Sequence, residues 1–126
     1  MNTMNTMNPT YYPEGMFPKS LRADEMTREQ LKKACLEGTI LEATARSATP
    51  QHDLLVDLGG IQGIIPRADT AIGIADGTVR DIAILSRVGK PVCFQIASVD
   101  GLYDPRPTLL LSRKAAQQEA LHYLLH

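Results

Sequence analysis

The side chains that most often perform catalysis are present in this chain, but their spacing indicates no active site. Cys35 and Cys93 lie far apart and match no metal-binding or redox spacing. Asp57 and Asp69 follow no pattern that would pair two carboxylates for acid–base work. The glycine-rich run over 59–63 does not lead into a helix, so it fails as a phosphate-binding loop. We therefore predict no enzyme, no catalytic residue, no metal site and no cofactor.

Cationic side chains near the ends of predicted strands and loops offer a second kind of chemistry. The candidates for contacts with phosphates are Arg67, Lys90, Arg106 and Arg113, with Arg46 and Lys114 in similar positions. Gathered together, they would form one basic rim that contacts a nucleic-acid backbone. The alternative is that they are scattered, solvated charges, because 13 Lys and Arg face 14 Asp and Glu in the whole chain.

Composition and charge limit the classes of protein to which this chain can belong. Its 126 residues suggest one domain with extra terminal length, and a hydrophobic content of 44% is ordinary for a globular protein. The net charge of −1 argues against a strongly basic, sequence-blind nucleic-acid binder. No run of about 18 apolar residues exists, so no membrane span is expected. The two cysteines are predicted to be reduced, which favours a cytoplasmic protein.

The first 25 residues are predicted to form an irregular leader. The segment begins with a repeated Met-Asn-Thr tripeptide and continues with turn formers between apolar side chains. One interpretation is a disordered tail. The other is a short adhesive segment that lies on the domain or on a partner, with Tyr11, Tyr12 and Phe17 as its anchors.

A short helix and then a set of strands are predicted after the leader. The helix is predicted over 26–37, because Thr27 and Gln30 have the spacing of a capping box and Gly38 can end the helix. From there to residue 114, apolar and polar side chains alternate in several short runs. This period of two is typical of strands with one face in water.

The strand pattern predicts a small closed barrel over 38–114. Three strands come first, and Gly59-Gly60 makes a tight turn between the second and the third. A long helical connection follows, in which Thr78 would cap a short helix and Ile82 would face inward. Two more strands complete the barrel, and a helix over 115–126 ends the chain. The predicted fold class is mainly β, a five-stranded antiparallel barrel.

An ordered set of short motifs resembles the S1 RNA-binding domain, a barrel of the OB-fold class. The motifs are Glu37-Gly38-Thr39-Ile40, Leu55-Val56-Asp57-Leu58-Gly59-Gly60, Gly63-Ile64-Ile65-Pro66, Val88-Gly89-Lys90-Pro91-Val92, Val99-Asp100 and Leu110-Leu111-Ser112-Arg113-Lys114. Within that family, the chain is most similar to the leading module of the largest small-subunit ribosomal protein. The resemblance implies an OB-fold barrel without catalysis that binds single-stranded RNA.

The resemblance also implies where RNA would lie, on the outer face of strands two and three. The family's two aromatic positions fall on His52 and Leu55, its histidine on Pro66, its acidic residue on Asp100 and its basic residue on Thr108. His52 could still stack on a base. Leu55 offers no flat ring, so it is expected to hold a base less strongly.

Two hypotheses of function follow from the sequence. The first is a weak single-stranded RNA-binding module in translation, associated with the small ribosomal subunit. Its candidate RNA-binding residues are His52, Leu55, Arg67, Lys90, Asp100, Arg106 and Arg113. The second is a protein-docking module that anchors to the ribosome or to another complex. It would use the leader and the first helix and would have little RNA affinity of its own.

Overall fold

A computed structural model describes residues 21–125, with the side chains of residues 21–122. The strands are β1 (Leu41–Ala48), β2 (Leu54–Asp57), β3 (Gln62–Ile65), β4 (Pro91–Ser98) and β5 (Thr108–Ser112). The α-helices are α1 (Arg28–Glu37), α2 (Ile82–Leu85) and α3 (Arg113–Leu125), and short 3-10 turns lie at Ala23–Glu25 and Arg67–Asp69. The predicted anchors Tyr11, Tyr12 and Phe17 lie outside the described residues.

The five strands close into a barrel in the order β1-β2-β3-β5-β4, and β4 pairs back to β1. This confirms the predicted fold class, including the helix before the barrel, the helical connection between β3 and β4, and the terminal helix. One pairing departs from the predicted antiparallel arrangement, because β3 and β5 run parallel. Directions cannot alternate around a closed ring with an odd number of strands, so at least one neighbouring pair must be parallel.

Inward-facing side chains from all five strands form one aliphatic core around Phe94. The largest fully buried side chains are Phe94, Leu31, Leu41, Leu54, Leu58, Ile65, Ile74, Leu102, Leu109, Leu111, Val56 and Val92. Leu31 comes from α1 and Ile74 from the connection between β3 and β4, so both helical regions contribute to the barrel core. Burial of such side chains contributes about 1.5–3 kcal/mol each.

The ends of α1 are formed as predicted. Gln30 N donates to Thr27 Oγ1 at 3.1 Å and Thr27 N donates to Gln30 Oε1 at 2.8 Å, which completes the capping box. Gly38 ends the helix with φ of 64°, a conformation that glycine adopts without strain. Ala23, in the last part of the predicted irregular leader, forms part of a 3-10 turn and is fully buried in the core.

The connection between β3 and β4 differs from the prediction. α2 begins after Asp81 rather than at Thr78, whose hydroxyl instead donates to Gly73 O at 3.2 Å. Ile82 is 68% exposed, whereas Ile84 is buried. The predictions that Thr78 caps this helix and that Ile82 faces inward are therefore wrong, because the later start turns Ile84 to the core.

The terminal helix packs on the barrel through β4. Ala115 N donates to Ser112 Oγ at 3.0 Å, so Ser112 caps α3 as predicted. Gln95 of β4 donates to Glu119 Oε2 of α3 at 2.7 Å. Between residues 21 and 125, no helix has both the length and the apolar character needed to cross a membrane.

Candidate nucleic-acid interface

The outer face of β2, β3 and β5 carries a row of aliphatic side chains. Leu55 lies opposite Ile64, and Ile64 lies opposite Leu110. Ser47 of β1 and Ser98 of β4 end the row on its two sides. We call Leu55, Ile64 and Leu110 the aliphatic row. Leu110 is 43% exposed and the other two are half-buried, so the row is accessible to a ligand.

Strand alternation places the aliphatic row on the outside. Leu54 and Val56 are buried on either side of Leu55, and Leu109 and Leu111 are buried on either side of Leu110. Because successive side chains of a strand point to opposite faces, the residue between two buried ones faces outward. The sequence therefore places Leu55 and Leu110 on the surface even though both are apolar.

The rest of this face is polar but weakly charged. Asp57, Gln62 and Thr108 form the next cross-strand row. A shallow groove of about 210 Å³ runs beside Leu110, lined by Ile64, Ser98, Gly101, Thr108, Leu109 and Leu110. Where the resemblance predicts rings that stack on bases, the face thus presents aliphatic and small polar side chains.

A cluster of three side chains forms where β2 begins and β3 ends. Arg67 donates to both carboxylate oxygens of Asp81, from Nε at 2.8 Å and from Nη2 at 2.7 Å. His52 Nδ1 lies 2.5 Å from Asp81 Oδ2. Arg67 also donates its backbone N–H to Asp53 Oδ1 at 2.8 Å. These contacts join the β1–β2 loop, the turn after β3 and the start of α2.

The electrostatics of this cluster reduce what Arg67 can offer to a phosphate. Hydrogen bonds from Arg67, and then from His52, hold the pKa of Asp81 well below its usual range. The same carboxylate raises the pKa of Arg67. The guanidinium and the carboxylate therefore form a stable charged pair whose net charge is zero, so its attraction for an anion is weaker than that of an isolated arginine.

Arg113 approaches the same end of the barrel. Its Nη1 donates to Thr70 O at 3.1 Å, and Thr70 in turn donates from its backbone N and its Oγ1 to Arg67 O. Both arginines thus take part in the hydrogen bonding that holds the connection after β3. The structure brings His52, Arg67 and Arg113 together at this end.

Of the remaining candidates, Asp100 and Arg106 lie at the other end of the barrel, whereas Lys90 precedes β4, which begins at the same end as β2. Asp100 and Arg106 are exposed in the β4–β5 loop, whose last residue, Pro107, accepts a hydrogen bond from Gln62 N at the start of β3. Lys90 is exposed just before β4, and its carbonyl accepts from Ala45 N of β1. The predicted cations are therefore divided between the two ends of the barrel. Their role in RNA binding stays a prediction.

Sequence reasoning missed two residues of this surface. Asp81 is separated from His52 by 29 residues, so no local pattern connects them. Tyr103 is 64% exposed, whereas Phe94 is fully buried. Tyr103 lies in the β4–β5 loop, which is rich in turn formers and therefore typical of exposed residues. No periodic pattern indicated which side chains surround its ring. Within residues 21–125, no three His, Cys, Asp or Glu side chains are grouped to hold a metal ion.

The chain has an OB-type fold. The closed barrel of five strands, with its strand order and flanking helices, is the basis of this assignment. No protein-family model and no curated protein matches the sequence. The chain is similar to the solution structure of GSP13 from Bacillus subtilis, with a TM-score of 0.49 and 21% sequence identity. The match covers 64% of this chain and 56% of the GSP13 chain, so it spans little more than half of that neighbour.

Proposed function

We propose that this chain is a non-catalytic module that binds single-stranded RNA weakly, in translation or in association with the small ribosomal subunit. The observation that carries the proposal is the OB-type barrel with an accessible β2–β3–β5 face. Barrels of this class bind oligonucleotides on strands two and three and on the β1–β2 and β4–β5 loops. Here α1 and α3 both pack against β4, and Leu110 on the outer face of β5 stays exposed.

The chemistry of the face supports weak rather than tight binding. A base that stacks on an aromatic ring gains about 1–3 kcal/mol, and the aliphatic row provides no such ring. Arg67 is already paired with Asp81, which leaves Lys90 and Arg106 as more exposed cations for phosphates. With few phosphates neutralised, we expect a dissociation constant on the order of 10⁻⁶ to 10⁻⁴ M at physiological salt.

Fluorescence anisotropy with a labelled single-stranded RNA of about ten nucleotides tests the proposal. We expect saturable binding at low salt, and an affinity that falls with salt at a logarithmic slope of about −0.7 for each phosphate contacted. Lys90→Gln and Arg106→Gln should each reduce that slope by about 0.7. Arg80→Gln, which removes an exposed cation outside the candidate set, serves as the control. Undetectable binding at the lowest salt would contradict the proposal.

Protein docking is the second candidate function, and the aliphatic row favours it. Exposed apolar patches on soluble proteins often mark contacts with other proteins. Three more apolar side chains, Ile82, Leu85 and Val88, are exposed at and after α2. A neutral, aliphatic surface of this kind suits a protein partner better than a polyanion. The partner we propose is a protein of the small ribosomal subunit.

Co-sedimentation with purified small ribosomal subunits distinguishes the two functions. If docking uses the aliphatic row, Leu110→Asp should abolish capture, while Leu121→Asp on α3 should not. If RNA binding dominates, capture should instead fall steeply with salt and be reduced by Lys90→Gln and Arg106→Gln, which leave the aliphatic row intact. A deletion that tests the leader should stop at residue 20, because Ala23 and Leu31 belong to the core and their removal would unfold the domain.

A further inference from the structure

We infer that Tyr103, together with Arg28 and Lys32 of α1, forms a stacking site for one base of single-stranded RNA. The inference rests on the proposed function and adds a base-binding site that lies outside the aliphatic row. The ring of Tyr103 is 64% exposed in the β4–β5 loop. Arg28 Cζ lies 5.8 Å from the ring centroid and Lys32 Nζ lies 5.5 Å from it.

The ring is exposed and yet held in place. Tyr103 Oη donates to Glu29 Oε1 at 3.1 Å, and the two cations contact the ring within the distance of a cation–π interaction. A ring whose orientation is already fixed loses little conformational entropy when a base stacks on it. This arrangement therefore favours binding more than a freely rotating tyrosine would.

Contacts other than those of Tyr103 also hold the loop in place. The neighbouring Leu102 is fully buried and anchors the loop in the core. Arg28 Nε adds a hydrogen bond to Leu102 O at 3.4 Å, which joins α1 to the loop. Because these contacts hold the loop, the exposed ring of Tyr103 is available for a ligand.

The charges around the ring suit a nucleotide. Two cations, Arg28 and Lys32, and one anion, Glu29, contact the ring or its hydroxyl. Lys32 also lies 3.8 Å from Glu29, so part of that negative charge is compensated. A base on the ring would bring its phosphate towards the two cations. Aromatic stacking beside positive charge is the usual combination in sites for single-stranded nucleic acids.

The position of the site connects it with the open face of the barrel. The β4–β5 loop joins Tyr103 to Thr108, which lies next to Gln62 on that face. The two residues are five positions apart in the chain, so they are at most about 17 Å apart along an extended chain. A short single strand can therefore contact the face and reach Tyr103.

The test compares RNA binding by the full chain and its variants, using the same labelled oligoribonucleotide and anisotropy assay. Tyr103→Ala should weaken binding by roughly 5- to 150-fold, the loss of one stacked base. Tyr103→Phe keeps the ring and should remain within about twofold of the unmodified chain, since stacking needs no hydroxyl. Lys32→Gln should reduce the logarithmic salt slope by about 0.7. Leu121→Ala, on α3 and outside both the β2–β3–β5 face and the stacking site, is the control, and unchanged melting temperatures establish that each variant is folded.

The outcomes separate the inference from the proposed function. Absence of binding by the unmodified chain at low salt would overturn both. Binding by the unmodified chain that Tyr103→Ala leaves unchanged would overturn the inference alone. An equal loss in Tyr103→Phe and Tyr103→Ala would also overturn it, because the hydroxyl rather than the stacked ring would then be responsible.

Discussion

Arg67 and Asp81 form a bidentate ion pair with N–O distances of 2.8 and 2.7 Å. The pair joins the turn after β3 to the residue before α2, and His52 from the β1–β2 loop binds the same carboxylate. The β1–β2 loop, the turn after β3 and the start of α2 are thus joined by the carboxylate of Asp81. Two consequences follow: this end of the barrel is held by charge as well as by packing, and Arg67 is less available to a phosphate.

Asp81→Asn should make the protein less stable at neutral pH and less sensitive to acid. The pKa of Asp81 is lowered in the folded state, so its carboxylate contributes stability above the usual aspartate pKa of about 4. That contribution decreases as the pH falls below this value towards the lowered pKa. Urea denaturation measures the free energy of unfolding of Asp81→Asn and of the unmodified chain. The two values should differ more at pH 7 than at pH 3. An equal difference at both pH values would contradict the prediction, and Asp104→Asn, in an exposed loop, is the matched control.

Gly59→Ala should destabilise the protein more than Gly60→Ala. Both glycines have positive φ, of 72° and 89°, so alanine at either position costs about 1–2 kcal/mol in backbone strain. A Cβ at position 59 would lie 2.4 Å from Asp24 O, whereas one at position 60 meets nothing within 4 Å. This clash should add about 1–3 kcal/mol to the loss in free energy of unfolding. Chemical denaturation of the two variants measures the difference, and equal losses would argue against close contact between the β2–β3 turn and the segment before α1.

Thr27→Ala should lower the free energy of unfolding by about 1 kcal/mol, because the first turn of α1 loses its cap. The effect should reach the whole domain, since Leu31 of α1 belongs to the barrel core. Thr27→Ser retains the hydroxyl that accepts from Gln30 N, so it should be close to the unmodified chain. Thermal unfolding followed by circular dichroism would measure both. A loss confined to helical signal, with the barrel unaffected, would show that α1 is independent of the core.

Local signals made most of the fold predictable. The spacing of Thr27 and Gln30, the glycine at position 38 and the pair Gly59-Gly60 each act within a few residues, and the structure confirms the helix ends and the hairpin. Alternation of apolar residues indicated the five strands because it depends only on which face of a strand is buried. The parallel pairing of β3 and β5 was missed, although closure of five strands requires one such pair.

The sequence by itself determined the elements, their order and the barrel, because hydrophobic period and turn chemistry are short-range properties of the chain. Only the tertiary structure decided which distant side chains meet. Asp81 lies between His52 and Arg67, the aliphatic row crosses three strands, and the ring of Tyr103 lies beside Arg28 and Lys32, which are more than 70 residues away along the chain. The ion pair and the ring contacts depend on how loops cross the ends of the closed barrel, and the aliphatic row depends on strand register. Each joins residues that are far apart in the chain, so no short-range pattern of the sequence indicates it.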